Sequence, residues 1–250
     1  AEVVLFAIGL DTTDQSDLAR RVRQSEKLAA VGTLAAGLAH EIRNPLNGAA
    51  LHVTFLERGL KRSGADEETR GAVKVVGDEI KRLSALVSEF LDFARPQPLQ
   101  KKAVSIRTLC ERAAQIMAPD AARANIEVKL DLPVADQTLD LDPRKMEQVL
   151  LNLLRNAIEA QEPAGSGTVT VRVRRQPRQE VIEIEDAGPG LSDPQAPIFD
   201  PFFSTKPAGT GLGLAIVHRI VTDHDGAIDV HSHAGKTIFR ITLPIRLTAA

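Results

Sequence analysis

Two long helical stretches, each with apolar residues spaced three and four apart, constrain this fold more than any other feature. In residues 16–60 the apolar positions are Leu28, Val31, Ala35, Leu38, Ile42, Leu46, Ala49, Val53, Leu56 and Leu60. In residues 67–94 they are Val76, Ile80, Leu83, Val87 and Phe90. This spacing is typical of helices that bury one face in a coiled coil or four-helix bundle. Turn signals at 62–66 join the stretches into a hairpin, and because one hairpin has too little core, we expect a homodimeric four-helix bundle.

A histidine and a carboxylate lie side by side near the middle of the first stretch. At about 100° per residue, His40 lies roughly 200° from Leu38 and therefore away from the apolar face. Glu41 can accept a proton from the imidazole, which would leave the other ring nitrogen more nucleophilic. Asn44, one turn further on, could orient a water or a phosphoryl oxygen. Pro45 follows, where the apolar spacing slips by one residue and the helix can bend. Taken alone, the pattern also fits an ordinary exposed helix face.

The composition is that of a globular protein. Of its 250 residues, 43% are hydrophobic and 26% charged, with a net charge of -2, so nothing predicts binding to nucleic acid or an anionic membrane. The absence of Trp and Tyr argues against a base-stacking platform. The single cysteine, Cys110, predicts a buried, inert thiol in a reducing compartment. No apolar run reaches the roughly 18–20 residues of a membrane span, so we expect a cytoplasmic fragment without membrane contact.

Residues 1–15 and the sequence after residue 96 predict further domains. Residues 3–8 form a strand pattern closed by turn signals at 11–14, which resembles the end of a PAS sensor domain. What precedes Ala1, soluble or membrane-anchored, is left open. We expect a sensor remnant at 1–15, a helical hairpin at 16–96 and a second domain at 97–250. In the second domain, helices are predicted at 106–117, 143–161 and 214–224, and strands at 126–132, 139–141, 168–174, 181–185, 228–231 and 237–244. The predicted fold class is α+β, with an α/β sandwich built on a mixed sheet.

The predicted helix after Asp142 carries polar residues opposite its apolar face. Asp142 and Pro143 form an N-cap and first-turn pair. Asn152 and Asn156 lie one turn apart, although Asn is a poor helix former. Two amide oxygens at this spacing suit Mg²⁺, which prefers oxygen ligands. A solvated helix face remains the alternative interpretation.

Two glycine-rich segments follow, and both suit a nucleotide. In residues 186–190, the carboxylate of Asp186 directly after a strand could accept the amino group of adenine, while Gly188 and Gly190 allow close approach. Residues 209–213 open the next helix, where exposed backbone N–H groups form an anion site. The residues in this second segment are Gly209, Thr210, Gly211, Leu212 and Gly213. Between the segments, Phe199, Phe202 and Phe203 predict an apolar anchor, and Thr205 and Lys206 could meet phosphate. Each segment alone also fits a common turn.

In their order, these motifs resemble the sensor histidine kinases of two-component systems. Residues 38–46 resemble the H box, 152–157 the N box, 186–190 the G1 box, 199–203 the F box and 209–213 the G2 box. The resemblance covers residues 16–243.

The resemblance implies an ATP-dependent protein-histidine kinase. His40 would be phosphorylated with Glu41 as base, and the phosphoryl group would pass to an aspartate of a response regulator receiver domain. Asn156 would hold Mg²⁺ with Asn152 beside it, Arg155 would lie at the same nucleotide site, and residues 188–213 would form a lid. Asn44 matches the position that places the hydrolytic water in kinases that also dephosphorylate their partner. Two alternatives remain: a nucleotide-binding dimeric scaffold without kinase activity, and another ATPase of the gyrase, chaperone or mismatch-repair type.

Overall fold

The structure is a computed structural model, and it describes residue 42 and residues 44–94, 98–134, 138–193, 196–206, 209–233 and 235–245. The chain divides into two compact units, Ala1–Pro96 and Gln97–Ala250. His40, Glu41, the strand predicted at 3–8 and the apolar positions from Leu28 to Leu38 lie outside the described residues. What the sequence predicts for them therefore stays a prediction.

Within its described residues, the first unit is a helical hairpin. Helix α1 covers residues 44–63 and α2 spans Glu67–Ala94. The turn between them begins at Gly64, which has a left-handed φ of 68° that glycine adopts without strain. Asp66 then caps α2 by accepting a hydrogen bond from the Thr69 backbone N–H at 2.6 Å. Helix α1 therefore continues through 62 and 63, which the sequence had suggested as part of the turn.

The two helices approach closely at Gly77. A Cβ at this glycine would lie 3.0 Å from Val53 Cγ1, and Val53 is 8% exposed. Many other apolar side chains of the hairpin remain exposed within a single chain. These are Ile42, Leu51, Phe55, Leu56, Val75, Val76 and Leu83. Ile42, Leu56, Val76 and Leu83 belong to the predicted apolar seam, and an exposed patch of this kind marks an interaction surface.

The second unit contains a mixed five-stranded sheet with the strand order β2-β4-β5-β7-β6. Strands β2 and β4 pair in parallel, and the other pairs are antiparallel. The elements that build this unit are β1 (Lys102–Ser105), α3 (Ile106–Arg123), β2 (Ile126–Asp131), β3 (Thr138–Leu141), α4 (Pro143–Gln161), a 3-10 turn (Glu162–Ala164), β4 (Gly167–Gln176), β5 (Gln179–Asp186), α5 (Gly213–Asp223), β6 (Ala227–His233) and β7 (Lys236–Pro244). The predicted α+β class with a mixed sheet is confirmed.

The two faces of the sheet differ in chemistry, as period-two alternation requires. On one face, residues such as Val171, Ile184 and Ile241 are at most 1% exposed and pack with the helices. On the other face, one transverse row across all five strands alternates in charge. Its members, in sheet order, are Asp131, Arg172, Glu183, Arg240 and Asp229. The sandwich therefore has two layers, one of sheet and one of helices.

Several element boundaries differ from expectation. Strand β1 was not predicted, and it pairs antiparallel with β3 in a separate two-stranded ladder. Helix α3 continues past the predicted end at Met117 to Arg123, with Pro119 inside it. Met117 and Ala121, one turn apart, are both buried, so packing holds the helix together across the proline. No helix within the described residues is both long and apolar enough to span a bilayer.

Candidate functional site

Helix α4 presents one polar side to the loops of the second unit. Its apolar residues, including Leu150, Leu153 and Leu154, are at most 1% exposed, which fixes the rotation of the helix. Asn152, Asn156 and Glu159 follow each other at spacings of four and three, so they share one side. The remaining predicted residue of this helix, Arg155, is exposed to solvent.

The predicted asparagine and the last glycine of the second glycine-rich segment meet. The side-chain amide of Asn152 donates to the Gly213 carbonyl at 3.4 Å, across 61 positions of sequence. Gly213 begins α5, and a Cβ there would lie 4.0 Å from Asn152 Cγ. The backbone at the start of α5 therefore lies against the polar side of α4.

Asp186 is buried at the end of β5, at 3% exposure. Its Oδ1 accepts the Gly188 backbone N–H at 2.9 Å. Burial raises the pKa of Asp186 above its ordinary value; the Gly188 N–H lowers it, the charge of Glu185 raises it, and the Lys206 ammonium lowers it. A Cβ at Gly188 would lie 2.7 Å from Asp186 Oδ1 and 3.0 Å from Ala160 Cβ, so the turn fits against α4 only with glycine there.

Lys206 also contacts α4, but through a residue that the sequence interpretation missed. Its Nζ forms an ion pair with Glu159 Oε2, 47 positions away. The turn that carries it is held by Ser204, whose Oγ accepts the Lys206 N–H and donates to the Lys206 carbonyl, both at 3.1 Å. Thr205 is exposed. The signal that could have identified Glu159 is its position about one turn after Asn156, on the polar side of the helix.

The backbones of Phe202 and Gly211 are in direct contact. The Phe202 N–H donates to the Gly211 carbonyl at 2.9 Å, and a Cβ at Gly211 would lie 2.4 Å from the Phe202 carbonyl carbon. Phe202 itself has a φ of 67° and is 62% exposed. The expectation that Phe202 anchors the loop is therefore wrong. Phe199, also part of the predicted anchor, does pack, with its ring 5.5 Å from that of His218, and Ile198 beside it is 7% exposed.

Helices α4 and α5 are also joined where α4 begins and α5 ends. The Asp142 backbone N–H donates to His224 Nε2 at 3.0 Å, while His224 Nδ1 lies 2.7 Å from the Ile220 carbonyl. His224 therefore carries its proton on Nδ1. The Asp142 carboxylate caps α4 and also accepts the Gln100 backbone N–H at 2.8 Å. Sequence reasoning identified the cap but not the buried histidine.

Of the three site residues predicted in the hairpin, the structure describes Asn44, which is exposed on α1. In the second unit, Asn152 and Asn156 share one side of α4, and Gly188, Lys206 and Gly213 lie against that helix. Asp186 accepts the Gly188 N–H, whereas Gly190 packs against the His233 backbone and Gly211 against that of Phe202. This arrangement combines a buried carboxyl group, amide oxygens and closely approaching backbone.

Comparison with known proteins agrees with this geometry. Residues 30–99 match the model of the His Kinase A (phospho-acceptor) domain, and residues 141–247 match that of the histidine kinase-, DNA gyrase B- and HSP90-like ATPase. Sensor histidine kinase ZraS of Escherichia coli (strain K12) is 38% identical over 230 residues, which are 91% of this chain and 48% of that protein. The chain belongs to the sensor histidine kinases.

Two further relatives cover most of this sensor histidine kinase chain. Sporulation kinase E of Bacillus subtilis (strain 168) is 33% identical over 246 residues, 98% of this chain and 32% of that protein. The crystal structure of full-length ShkA in complex with AMPPNP has a TM-score of 0.72 at 30% identity, covering 87% of this chain and 47% of that one. The chain thus spans less than half the length of each of these relatives.

Proposed function

We propose that this chain is the catalytic part of an ATP-dependent protein-histidine kinase. It phosphorylates its own His40 from Mg-ATP and passes the phosphoryl group to an aspartate of a response regulator receiver domain. The observation that supports this most is the side of α4 where Asn152 meets Gly213, with Asp186 buried at the same helix. The phospho-acceptor model matched at residues 30–99 favours a kinase over other ATPases of this fold.

The residues around α4 suit the parts of ATP. Asp186 would accept the amino group of adenine, and the close packing of Gly188 against Asp186 and Ala160 would let the base approach the backbone there. Backbone N–H groups at the start of α5 would donate to the phosphates, with Thr205 and Lys206 alongside. Two N–H groups of this segment already have partners, because Gly209 donates to the Lys206 carbonyl and Leu212 donates to Thr210 Oγ1. The structure of ShkA in complex with AMPPNP, at 30% identity, supports ATP binding by this chain.

Asn156, with Asn152 beside it, would hold Mg²⁺. The donor set fits, because amide oxygens on a half-buried helix side leave room for the water and phosphate oxygens that this ion retains. Mg²⁺ would neutralise phosphate charge during transfer. Arg155 is exposed beside this side of α4, and a role for it would be at the rim of the site.

In the transfer, one ring nitrogen of His40 forms a bond to the γ-phosphorus of ATP. The bond from that phosphorus to its bridging oxygen breaks, and ADP leaves with the electron pair. Glu41 accepts the proton from the other ring nitrogen. The receiver aspartate then attacks the phosphorus of phosphohistidine and restores the imidazole. Asn44, exposed on α1, would orient water if the chain also dephosphorylates its partner.

The chain acts as a homodimer in this proposal. The exposed apolar residues of the hairpin, among them Leu56, Val76 and Leu83, would be buried when two hairpins form a four-helix bundle. ATP and a receiver domain as partners also imply action in the cytoplasm.

The assay is autophosphorylation with labelled ATP. His40→Gln should abolish an acid-labile, base-stable phosphate while leaving ATP binding intact. His52→Gln is the matched control, since His52 is an exposed histidine of helix α1, within the helical stretch predicted at 16–60. Label on the His40 variant would refute the assignment. ATP binding without any phosphoenzyme in the unsubstituted chain would favour the scaffold alternative.

A further inference from the structure

Glu159 and Lys206 connect α4 to the turn at residues 204–206. Glu159 is placed by its helix, because the two residues before it, Ala157 and Ile158, are at most 2% exposed. Lys206 is placed by the Ser204 hydrogen bonds and by its carbonyl, which accepts the Gly209 N–H at 3.1 Å. Both partners are therefore presented to each other by ordered backbone.

The ion pair lies between the two ends of the proposed nucleotide site. Glu159 is one turn from Asn156 and is followed by Ala160, whose Cβ would lie 3.0 Å from a Cβ at Gly188. The positive charge of Lys206 acts on Asp186 and opposes the rise in the pKa of that carboxyl group. A nucleotide with its base at Asp186 and its phosphates near Asn156 would pass next to this pair.

The side chains of the pair are half-exposed, with 37% of Glu159 and 44% of Lys206 accessible. Exposed ion pairs of this kind contribute little to stability, so exchange of one anion for another at the ammonium is easy. The lysine carries a compact charge on a flexible stem and can turn to a phosphate oxygen. The Glu159 carboxylate and a phosphate oxygen are both anions that can pair with the same ammonium, so they compete for Lys206.

We propose that Glu159 is a positioning residue that competes with the phosphates of the nucleotide for Lys206 and thereby weakens the binding of ATP. This inference rests on the proposed function, because it assigns the competing ligand to the same site. Glu159 acts through Lys206 and leaves recognition of the base to Asp186.

The experiment measures dissociation constants for ATP and for adenosine by calorimetry on the full chain. Glu159→Gln should tighten ATP about two- to fivefold and leave adenosine unchanged, because adenosine has no phosphate. In autophosphorylation, KM for ATP should fall by the same factor. Glu147→Gln is the matched control, since Glu147 lies on the same helix but pairs with Arg112 at 2.7 Å; it should change neither constant.

Lys206→Met completes the cycle. Lys206→Met should raise the dissociation constant for ATP. In a chain that already carries Lys206→Met, Glu159→Gln should no longer lower that constant. Unchanged or weaker ATP binding in Glu159→Gln, an equal effect on adenosine, or persistence of the effect without Lys206 would overturn the proposal. If the unsubstituted chain shows no phosphorylation at His40 but the ATP dissociation constants of the variants change as expected, the kinase function would be refuted and the competition for Lys206 would still hold.

Discussion

Replacing Glu180 should stabilise the second unit, because this carboxyl group is buried without full compensation. Glu180 lies in β5, paired in register with Arg175 and Leu243, and is 0% exposed. Its Oε2 is 3.5 Å from Arg175 Nη1, whereas Oε1 has no hydrogen-bond partner among the described atoms. Burial raises the pKa of Glu180 above its ordinary value, and the Arg175 charge opposes that rise.

The magnitude follows from two opposing contributions. An unpartnered buried polar atom costs about 1–3 kcal/mol. The ion pair with Arg175, whose side chain is 37% exposed, contributes at most about 1 kcal/mol in return. Glu180→Met, which keeps a similar volume, should therefore raise the free energy of unfolding by about 1–2 kcal/mol at neutral pH.

The gain should depend on pH in a definite direction. Because the folded-state pKa of Glu180 is raised, its carboxyl group is protonated in both states at low pH, and the charge is not buried there. As pH rises through the folded-state pKa, burying the charge lowers the stability of the unsubstituted chain. The advantage of Glu180→Met should thus be smaller at pH values below the ordinary pKa of a glutamate and larger above the raised folded-state pKa of Glu180.

Urea unfolding followed by circular dichroism measures the effect, with stabilities compared between variants at each pH. Glu183→Met is the matched control, since Glu183 lies on the same strand but on the charged face, bonded to Arg240 at 2.8 Å. It should not stabilise the chain. A Glu180→Met chain that is less stable than the unsubstituted one at pH 7, or whose gain is the same at every pH, would refute the reasoning.

Three further predictions concern other buried or constrained groups. Burial raises the pKa of the Cys110 thiol to about 12, so a thiol reagent should label it only as fast as the second unit opens, and rapid native labelling would contradict this. The pKa of Asp142 is lowered, because backbone N–H donors including that of Gln100 outweigh the opposing effect of burial. Stability should therefore fall as pH drops below about 4, and Asp142→Ala should cost about 1–2 kcal/mol in urea unfolding at pH 7 and flatten that pH dependence. Gly211→Ala should weaken ATP about tenfold or more in calorimetry, because a Cβ there would lie 2.4 Å from backbone, whereas Gly165→Ala, with a similar φ of 73° and open space, should leave ATP affinity unchanged.

Local signals in the sequence account for much of the fold. The bounds of α2 and the cap of α4 at Asp142 follow from residue types that act within one or two turns. Strand β1 could not be found this way. Its four residues, Lys102–Ser105, carry no clear alternation, and they become a strand by pairing with β3, more than thirty residues later.

In the candidate site too, the sequence identifies individual residues but not the contacts that depend on long-range packing. The sequence named Asn152 and Gly213 separately, but their contact depends on how α4 and α5 pack. Glu159 was overlooked because a glutamate on a polar helix face usually faces only water. The prediction for Phe202 was wrong because its backbone is left-handed, which leaves its side chain exposed. A phenylalanine in the sequence gives no sign of this conformation. The roles of His40 and Glu41 stay predictions.

The two attachments between α4 and α5 have a mechanical consequence. Asp142 at the start of α4 meets His224 at the end of α5, and Asn152 near the middle of α4 meets Gly213 at the start of α5. The helices therefore run antiparallel and are joined at points about 15 Å apart along α4. Because the two contacts are separated along α4, helix α5 cannot rotate about a single point of attachment. The two helices should therefore move as one rigid unit. A force applied to the backbone of Gln100, which is bonded to Asp142, would displace the start of α5 and would not bend one helix relative to the other.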